Sequence, residues 1–236
     1  PSMKKSLFAI LFLSTVLAAG SYMLLNSRMM QLFGTLVARV ETTQKRVALT
    51  FDDAPTPQTL RVLALLKQYR IPATFYAVGS QLERYPEIAR SIVADGHELG
   101  NHSYSHQRFV FKTWDFTDNE ISRTERLIRQ AGYAGEITFR PPYGKKLLVL
   151  PWYLSRRNIR TVMWDVEPET VQPADAATMA DYALTHTQPG SIILLHPFCN
   201  DRCEPARAAL PLIIEGLQAK GYHFVTVSEL MAEAGH

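Results

Sequence analysis

A chain of 236 residues, 47% of them hydrophobic, can bury one sizeable core, and its length is common for a single α/β barrel-like domain. The net charge of +3 arises in the first 45 residues, where Lys4, Lys5, Arg28, Arg39 and Lys45 face Glu41 alone; of 25 basic and 22 acidic side chains, 20 and 21 lie beyond them. A near-neutral remainder excludes a uniformly cationic nucleic-acid surface, and Lys145, Lys146, Arg156, Arg157 and Arg160 read as a solvated helix face.

Lys4 and Lys5 precede an apolar run from Leu7 to Leu25, the layout of an export signal. The run is also long enough to span a bilayer. Ala18, Ala19 and Gly20 offer a cleavage site, but Tyr22 to Leu25 continue the apolar character, which favours an uncleaved signal-anchor over a cleaved peptide. Residues 1–27 are therefore expected to be a signal-anchor or signal peptide, 28–45 a juxtamembrane linker whose later part could pack on the barrel, and 46–236 one folded domain. That domain would lie outside the cytoplasm, in the periplasm or cell envelope, held at the cytoplasmic membrane if the helix stays attached.

From Arg46 onward, short β-like runs alternate with amphipathic stretches, the pattern of parallel βα units. Seven strands are predicted: Val47 to Phe51, Ala73 to Val78, His97 to Asn101, Ile137 to Arg140, Arg160 to Trp164, Ser191 to Leu195 and His223 to Val227. Pro57 and Pro86 open helices, Gly96 stops the second, and Thr117 with Glu120 reads as a capping box for a helix that Gly132 ends. Further helices are expected at about 147–157, 173–186, 205–220 and 228–234. Cys199 and Cys203, close together in a Pro- and Asp-rich loop, suit a small local disulfide, since no other Cys exists to complete a thiolate metal site.

The polar clusters fall at the carboxyl ends of predicted strands, where parallel sheets and barrels build their sites. Asp52 and Asp53 follow the first strand, with side chains expected on different sides of the chain. His102 and His106, four apart, would share a face if their segment makes a helical turn. Two imidazoles and one carboxylate are the ligand set of an open catalytic metal site, leaving the second carboxylate to accept a proton from water. Arg140 heads the stiff turn Arg140-Pro141-Pro142-Tyr143-Gly144, which can fix a guanidinium beside a carboxylate. His196 ends a buried-type strand, where an imidazole could donate to a leaving amine. His97, His186, His223 and His236 have no partner pattern and receive no role.

Thr50-Phe51-Asp52-Asp53-Ala54-Pro55, His102-Ser103-Tyr104-Ser105-His106, Arg140-Pro141-Pro142-Tyr143-Gly144 and Leu194-Leu195-His196, in this order, resemble the polysaccharide deacetylase (NodB homology) family over about residues 46–230. The resemblance implies a distorted (β/α) barrel of about seven parallel strands, preceded here by the apolar helix, and metal-dependent hydrolysis of N-acetyl groups on an amino-sugar polymer (peptidoglycan, chitin-like or poly-N-acetylglucosamine). It implies Asp53, His102 and His106 as ligands of a divalent ion, zinc first with cobalt or nickel as alternatives. Asp52 would be the base, His196 the acid, Arg140 the residue orienting the base, the Tyr143 N–H an oxyanion donor, and Leu194 part of the acetate-methyl pocket.

Two departures stand out. Ala54 replaces the usual Gly, and Trp164-Asp165-Val166-Glu167-Pro168 stands where the family has an Asp that tunes the catalytic His, followed by an Asp-Trp pair. Glu167 aligns with that Asp, and Asp165 is the alternative. Competing functions are an O-acetyl esterase or imide hydrolase on the same fold, and a membrane-tethered glycan-binding protein that has lost turnover. The partner expected in the first two cases is an acetylated glycan or another acylated substrate, with no nucleic acid; nothing in the sequence fixes an oligomeric state.

Overall fold

The computed structural model describes residues 2–172 and 174–233. His236 and the positions 173 and 234 of two expected helices lie outside the described residues, as do the side chains of Lys4 and Lys5. The elements in order are α1 (Ser2–Asn26), β1 (Leu36–Val37), β2 (Arg46–Ala54), α2 (Thr59–Tyr69), β3 (Thr74–Ala77), α3 (Gly79–Arg84), α4 (Pro86–Ala94), β4 (Glu98–Asn101), α5 (Trp114–Gln130), α6 (Val149–Arg156), β5 (Thr161–Val162), α7 (Ala176–His186), β6 (Ile192–Leu195), α8 (Glu204–Ala219), β7 (His223–Val225) and α9 (Val227–Glu233). Along α1, successive side chains such as Ile10, Leu11, Phe12 and Leu13 are all exposed. Among the described residues no helix is long and apolar enough to cross a membrane.

All the strand pairs are parallel. One sheet has the order β4-β3-β2-β6 with β7 also on β2, and β1 pairs with β5. The expected barrel is not closed by continuous ladders among the described residues. Between β4 and β6 single bridges do the joining: Phe139 to Asn101 and to Thr161, and Val166 to Ile193. The strand expected over Ile137 to Arg140 shrinks to this one bridging residue because Pro141 and Pro142 follow at once and have no N–H to extend a ladder.

β2 is the central strand and is buried on both faces. Val47, Leu49 and Phe51 join the larger apolar cluster with Leu66 and Ile213. Ala48 faces the opposite cluster with Tyr76, Trp164 and Leu194. Strand alternation then puts Thr50 and Asp52 on the same side as Ala48, so a carboxylate is carried inward by register alone.

The later part of the linker packs on the domain, as the sequence reading allowed. Thr161 N–H donates to Thr35 O and Met163 N–H to Val37 O, while Val40 N–H donates to Gly190 O at 2.9 Å. Gly190 makes that last contact with φ at +81°, and a Cβ there would lie 1.8 Å from the Val40 carbonyl oxygen. Gly190→Ala is accordingly expected to cost about 2 kcal/mol or more of folding stability, measured by chemical denaturation. Unchanged stability would mean that residues 36–40 are only loosely attached.

Candidate active site and metal centre

The register of β2 against β3 shifts between Asp52 and Ala54, and Asp53 takes a φ of 68° at that bulge. A regular strand would send neighbouring side chains to opposite faces, but the bulge turns both carboxylates into one cavity of about 820 Å³. Asp52 and Asp53 therefore do not project apart as expected.

Nor do His102 and His106 meet on a helical turn. Their loop reverses at Ser103 (φ 65°) and His106 (φ 56°), and the imidazole rings lie 4.9 Å apart. Hydrogen bonds hold this strained path: Asn101 Oδ1 accepts from Ser103 N, Ser103 Oγ from His106 N, and Glu120 Oε2 from both Tyr104 N and Ser105 N. The capping box expected for Thr117 and Glu120 is thus absent. Thr113 caps α5 by accepting from Phe116 N–H, and Glu120 is spent on bracing the histidine loop.

His102 Nδ1 lies 2.7 Å from the Arg140 carbonyl, a partner that only a protonated nitrogen can serve, so the Nε2 lone pair faces the cavity. His106 Nε2 lies 3.2 Å and His102 Nε2 3.9 Å from Asp53 Oδ1. One donor atom from each of the three residues falls within 4.8 Å of the other two. A tetrahedral ion with bonds of about 2.1 Å has ligand-to-ligand edges of about 3.4 Å, so this donor set fits a small divalent cation. Burial and the neighbouring His102 push the His106 pKa down, which keeps its lone pair available.

Arg140 is fully buried and each of its nitrogens is engaged. Nη1 donates to Asp52 Oδ1 and to Thr50 Oγ1, both at 2.8 Å; Nη2 and Nε donate to the Met163 and Val162 carbonyls. The guanidinium also stacks on Tyr76 at 4.0 Å. Burial alone would raise the Asp52 pKa, but the charges of Arg140, His102 and His196 outweigh it and hold the carboxyl below its ordinary range. Oδ1 belongs to Arg140, leaving Oδ2 as the atom that faces His102 Nε2 at 3.5 Å and His196 Nε2 at 3.9 Å.

Neither acidic residue proposed to tune His196 does so. Asp165 accepts from Ser191 Oγ and Ile192 N–H behind the site. Glu167 accepts from Trp164 Nε1 and from Arg28. The carboxylate on His196 is Glu169, whose Oε2 lies 2.6 Å from Nδ1 while Oε1 accepts the His196 N–H. Pro168 starts a 3-10 turn over Pro168–Thr170 that swings Glu169 back over the end of β6. The Glu-Pro-Glu spelling was the available signal, since a proline between two acids makes the second one face elsewhere than an extended chain would put it.

Tyr143, at φ 57°, lines the cavity, its ring centred 4.7 Å from that of His106 and tilted by 51° against it; the hydrogen bonds of its turn begin at Gly144 N–H, leaving the Tyr143 N–H outside them. Leu194 is fully buried beside Tyr76 and Trp164, behind the residues that line the cavity. Two walls come from regions without a sequence signal. Asn26, which ends α1, and Arg28, two residues on, form one, with Arg28 paired to Glu167 at 2.5 Å and stacked on Trp164 at 4.8 Å. Arg202 and Cys203 form the other, in a loop closed by the expected Cys199–Cys203 disulfide.

The family model for polysaccharide deacetylase matches residues 39–162. A peptidoglycan-N-acetylglucosamine deacetylase of Bacillus cereus is 37% identical over 186 residues, covering 78% of this chain and 67% of that protein. The crystal structure of the Bc1960 peptidoglycan N-acetylglucosamine deacetylase superposes with a TM-score of 0.77 at 34% identity, over 84% of this chain and 92% of the other. BA3943 of Bacillus anthracis, a CE4 family pseudoenzyme, superposes with a TM-score of 0.75 at 26% identity, over 85% of this chain and 70% of that one.

Burial opposes the charged form of His196, but the hydrogen bond to Glu169 and the charges of Asp52 and Glu169 prevail and raise its pKa to about 9. In metal-free protein, NMR titration of Glu169→Gln should show the His196 midpoint lower by about 1–2 units. Glu167→Gln should leave it in place. The reverse pattern would return the tuning role to Glu167.

Proposed function

The chain belongs to the polysaccharide deacetylase family, and on that premise we propose that it hydrolyses the N-acetyl amide of an amino-sugar polymer, with cell-wall peptidoglycan the first candidate. The observation that carries this reading is an acid and a base together at one three-donor centre: Asp52 Oδ2 and His196 Nε2 lie 3.9 Å apart in the cavity that Asp53, His102 and His106 also line. The peptidoglycan relatives and the superposed deacetylase support the substrate class.

A divalent ion held by Asp53, His102 and His106, zinc being the natural candidate for two imidazoles and a carboxylate, would ease the ionisation of water and polarise the acetyl carbonyl. Asp52, kept ionised by Arg140, takes the proton of the attacking water on Oδ2. The Tyr143 N–H is offered to the carbonyl oxygen as negative charge develops there. His196, protonated through neutral pH by its Glu169 contact, passes its proton to the departing sugar nitrogen; without that proton the tetrahedral adduct would expel water instead.

The presence of both base and acid argues for turnover over the reading as a glycan-binding protein, which would need neither. Export and retention at the membrane belong to the same proposal and are supported by the two lysines ahead of the apolar run and by the exposed apolar side chains of α1.

The metal-loaded chain should release acetate from peptidoglycan fragments or N-acetylglucosamine oligomers. Asp52→Asn should lower the rate by about 10²- to 10⁴-fold, and a chelator should abolish it until metal is restored. No acetate from any N- or O-acetylated glycan would overturn the proposal, and a preference for O-acetylated xylan would move the activity to ester hydrolysis.

A further inference from the structure

Several large apolar side chains that the core does not use lie together on one face. Phe111 is 90% exposed even though its backbone sits at φ 53°, a conformation that bulky residues rarely adopt. Phe111, Lys112 and Leu148 edge a shallow cavity of about 110 Å³. One turn along α6 from Leu148 is Trp152, exposed, with its ring meeting that of Trp114 edge-on at 5.0 Å. Trp114 in turn packs on Tyr153.

The chain after α1 runs beside the same helix. Gly34 comes so near α6 that a Cβ on it would lie 3.2 Å from Ser155 Cβ, which brings the exposed Met29, Met30, Leu32 and Phe33 alongside.

Its charges are mainly positive. Lys112 lies over Phe116, Lys145 precedes Leu148 by three residues, and Arg156 follows Trp152 by four on α6. Asp115, beside Trp114, and Asp118, which accepts from the Tyr153 hydroxyl, are opposing carboxylates. Tryptophans among aliphatic side chains with a cationic rim suit the boundary between hydrocarbon and anionic headgroups. A sugar platform would need an open ring face flanked by hydrogen-bonding groups, whereas these two indoles cover one another edge-on among Leu, Met and Phe.

We propose that this face, from Phe111 through Trp114 and Trp152 to Phe33, seats the catalytic domain on the bilayer interface with anionic headgroups against the rim cations. The seat rests on the proposed envelope location, does not require α1 to span, and adds that the catalytic body itself lies on the lipid. The mouth of the catalytic cavity, lined by Asn26, Arg28 and Lys145, would then open beside the membrane surface.

The test uses the full chain in nanodiscs of mixed zwitterionic and anionic lipid, with or without bromine in the upper acyl region. Of the three tryptophans, Trp164 is buried, so bromine should reach Trp114 and Trp152 and quench total emission roughly twofold. Trp114→Phe with Trp152→Phe should remove the quenching, and Phe111→Asp or Leu148→Lys, which keep both reporters, should weaken it. Unquenched emission from chain that stays in the nanodisc would overturn the seat, as would emission that responds to soluble N-acetylglucosamine oligomers instead of lipid. Concentration-dependent dimerisation that protects both tryptophans would also overturn it, in favour of a second copy. Acetate release in detergent tests the proposed reaction separately.

Discussion

The buried pair of Arg140 and Asp52 is the constraint around which the rest is arranged. A guanidinium with no access to water needs acceptors for its donors, and Arg140 directs four of its five N–H groups to one carboxylate, one hydroxyl and two carbonyls. Those partners come from β2 and from the residues at the end of β5, so a single side chain ties the central strand to the far side of the fold. Its own backbone carbonyl fixes the tautomer of His102. The residue that tunes the base therefore also aims a ligand, and breaking a buried pair of this kind typically costs about 3–5 kcal/mol.

The site is otherwise built from strained backbone. Asp53, Ser103, His106 and Tyr143 all occupy the left-handed region, and none is glycine. Each turns the chain so that close neighbours in sequence can serve one cavity: two carboxylates from adjacent positions, and two imidazoles from a loop too short to be a helix. Hydrogen bonds from Glu120, Asn101 and Ser103 hold the imidazole loop in place. Stability is thus concentrated beneath the site, in the apolar clusters on either side of β2.

How much of this could be read from the residues depended on whether local spelling or distant packing decided each position. Strand ends were legible because apolar runs stop at Asp52, Asn101 and Leu195, and the donor set was legible because few residue types bind cations. Glu169 was not, because a 3-10 turn gave it the place that alignment with the family put at Glu167 and that extended-chain reasoning offered to Asp165. Glu120 looked like a cap because its spacing from Thr117 was right, but the backbone N–H groups of Tyr104 and Ser105, distant in sequence, had the stronger claim. Residues 28–45 looked like a linker because β1 is only two residues long and gains its stability from β5, more than a hundred positions away.

Asn26 and Arg28 belong to the cavity wall although one ends the leading helix and the other lies two residues beyond it. The leading segment and the cavity are thereby coupled, so the position of any cut in it would matter to the site. Trimming near Ala18 to Gly20 would release the body with its cavity intact, whereas a cut beyond Arg28 would strip Glu167 of its cation, uncover the face of Trp164 and widen the groove on that flank.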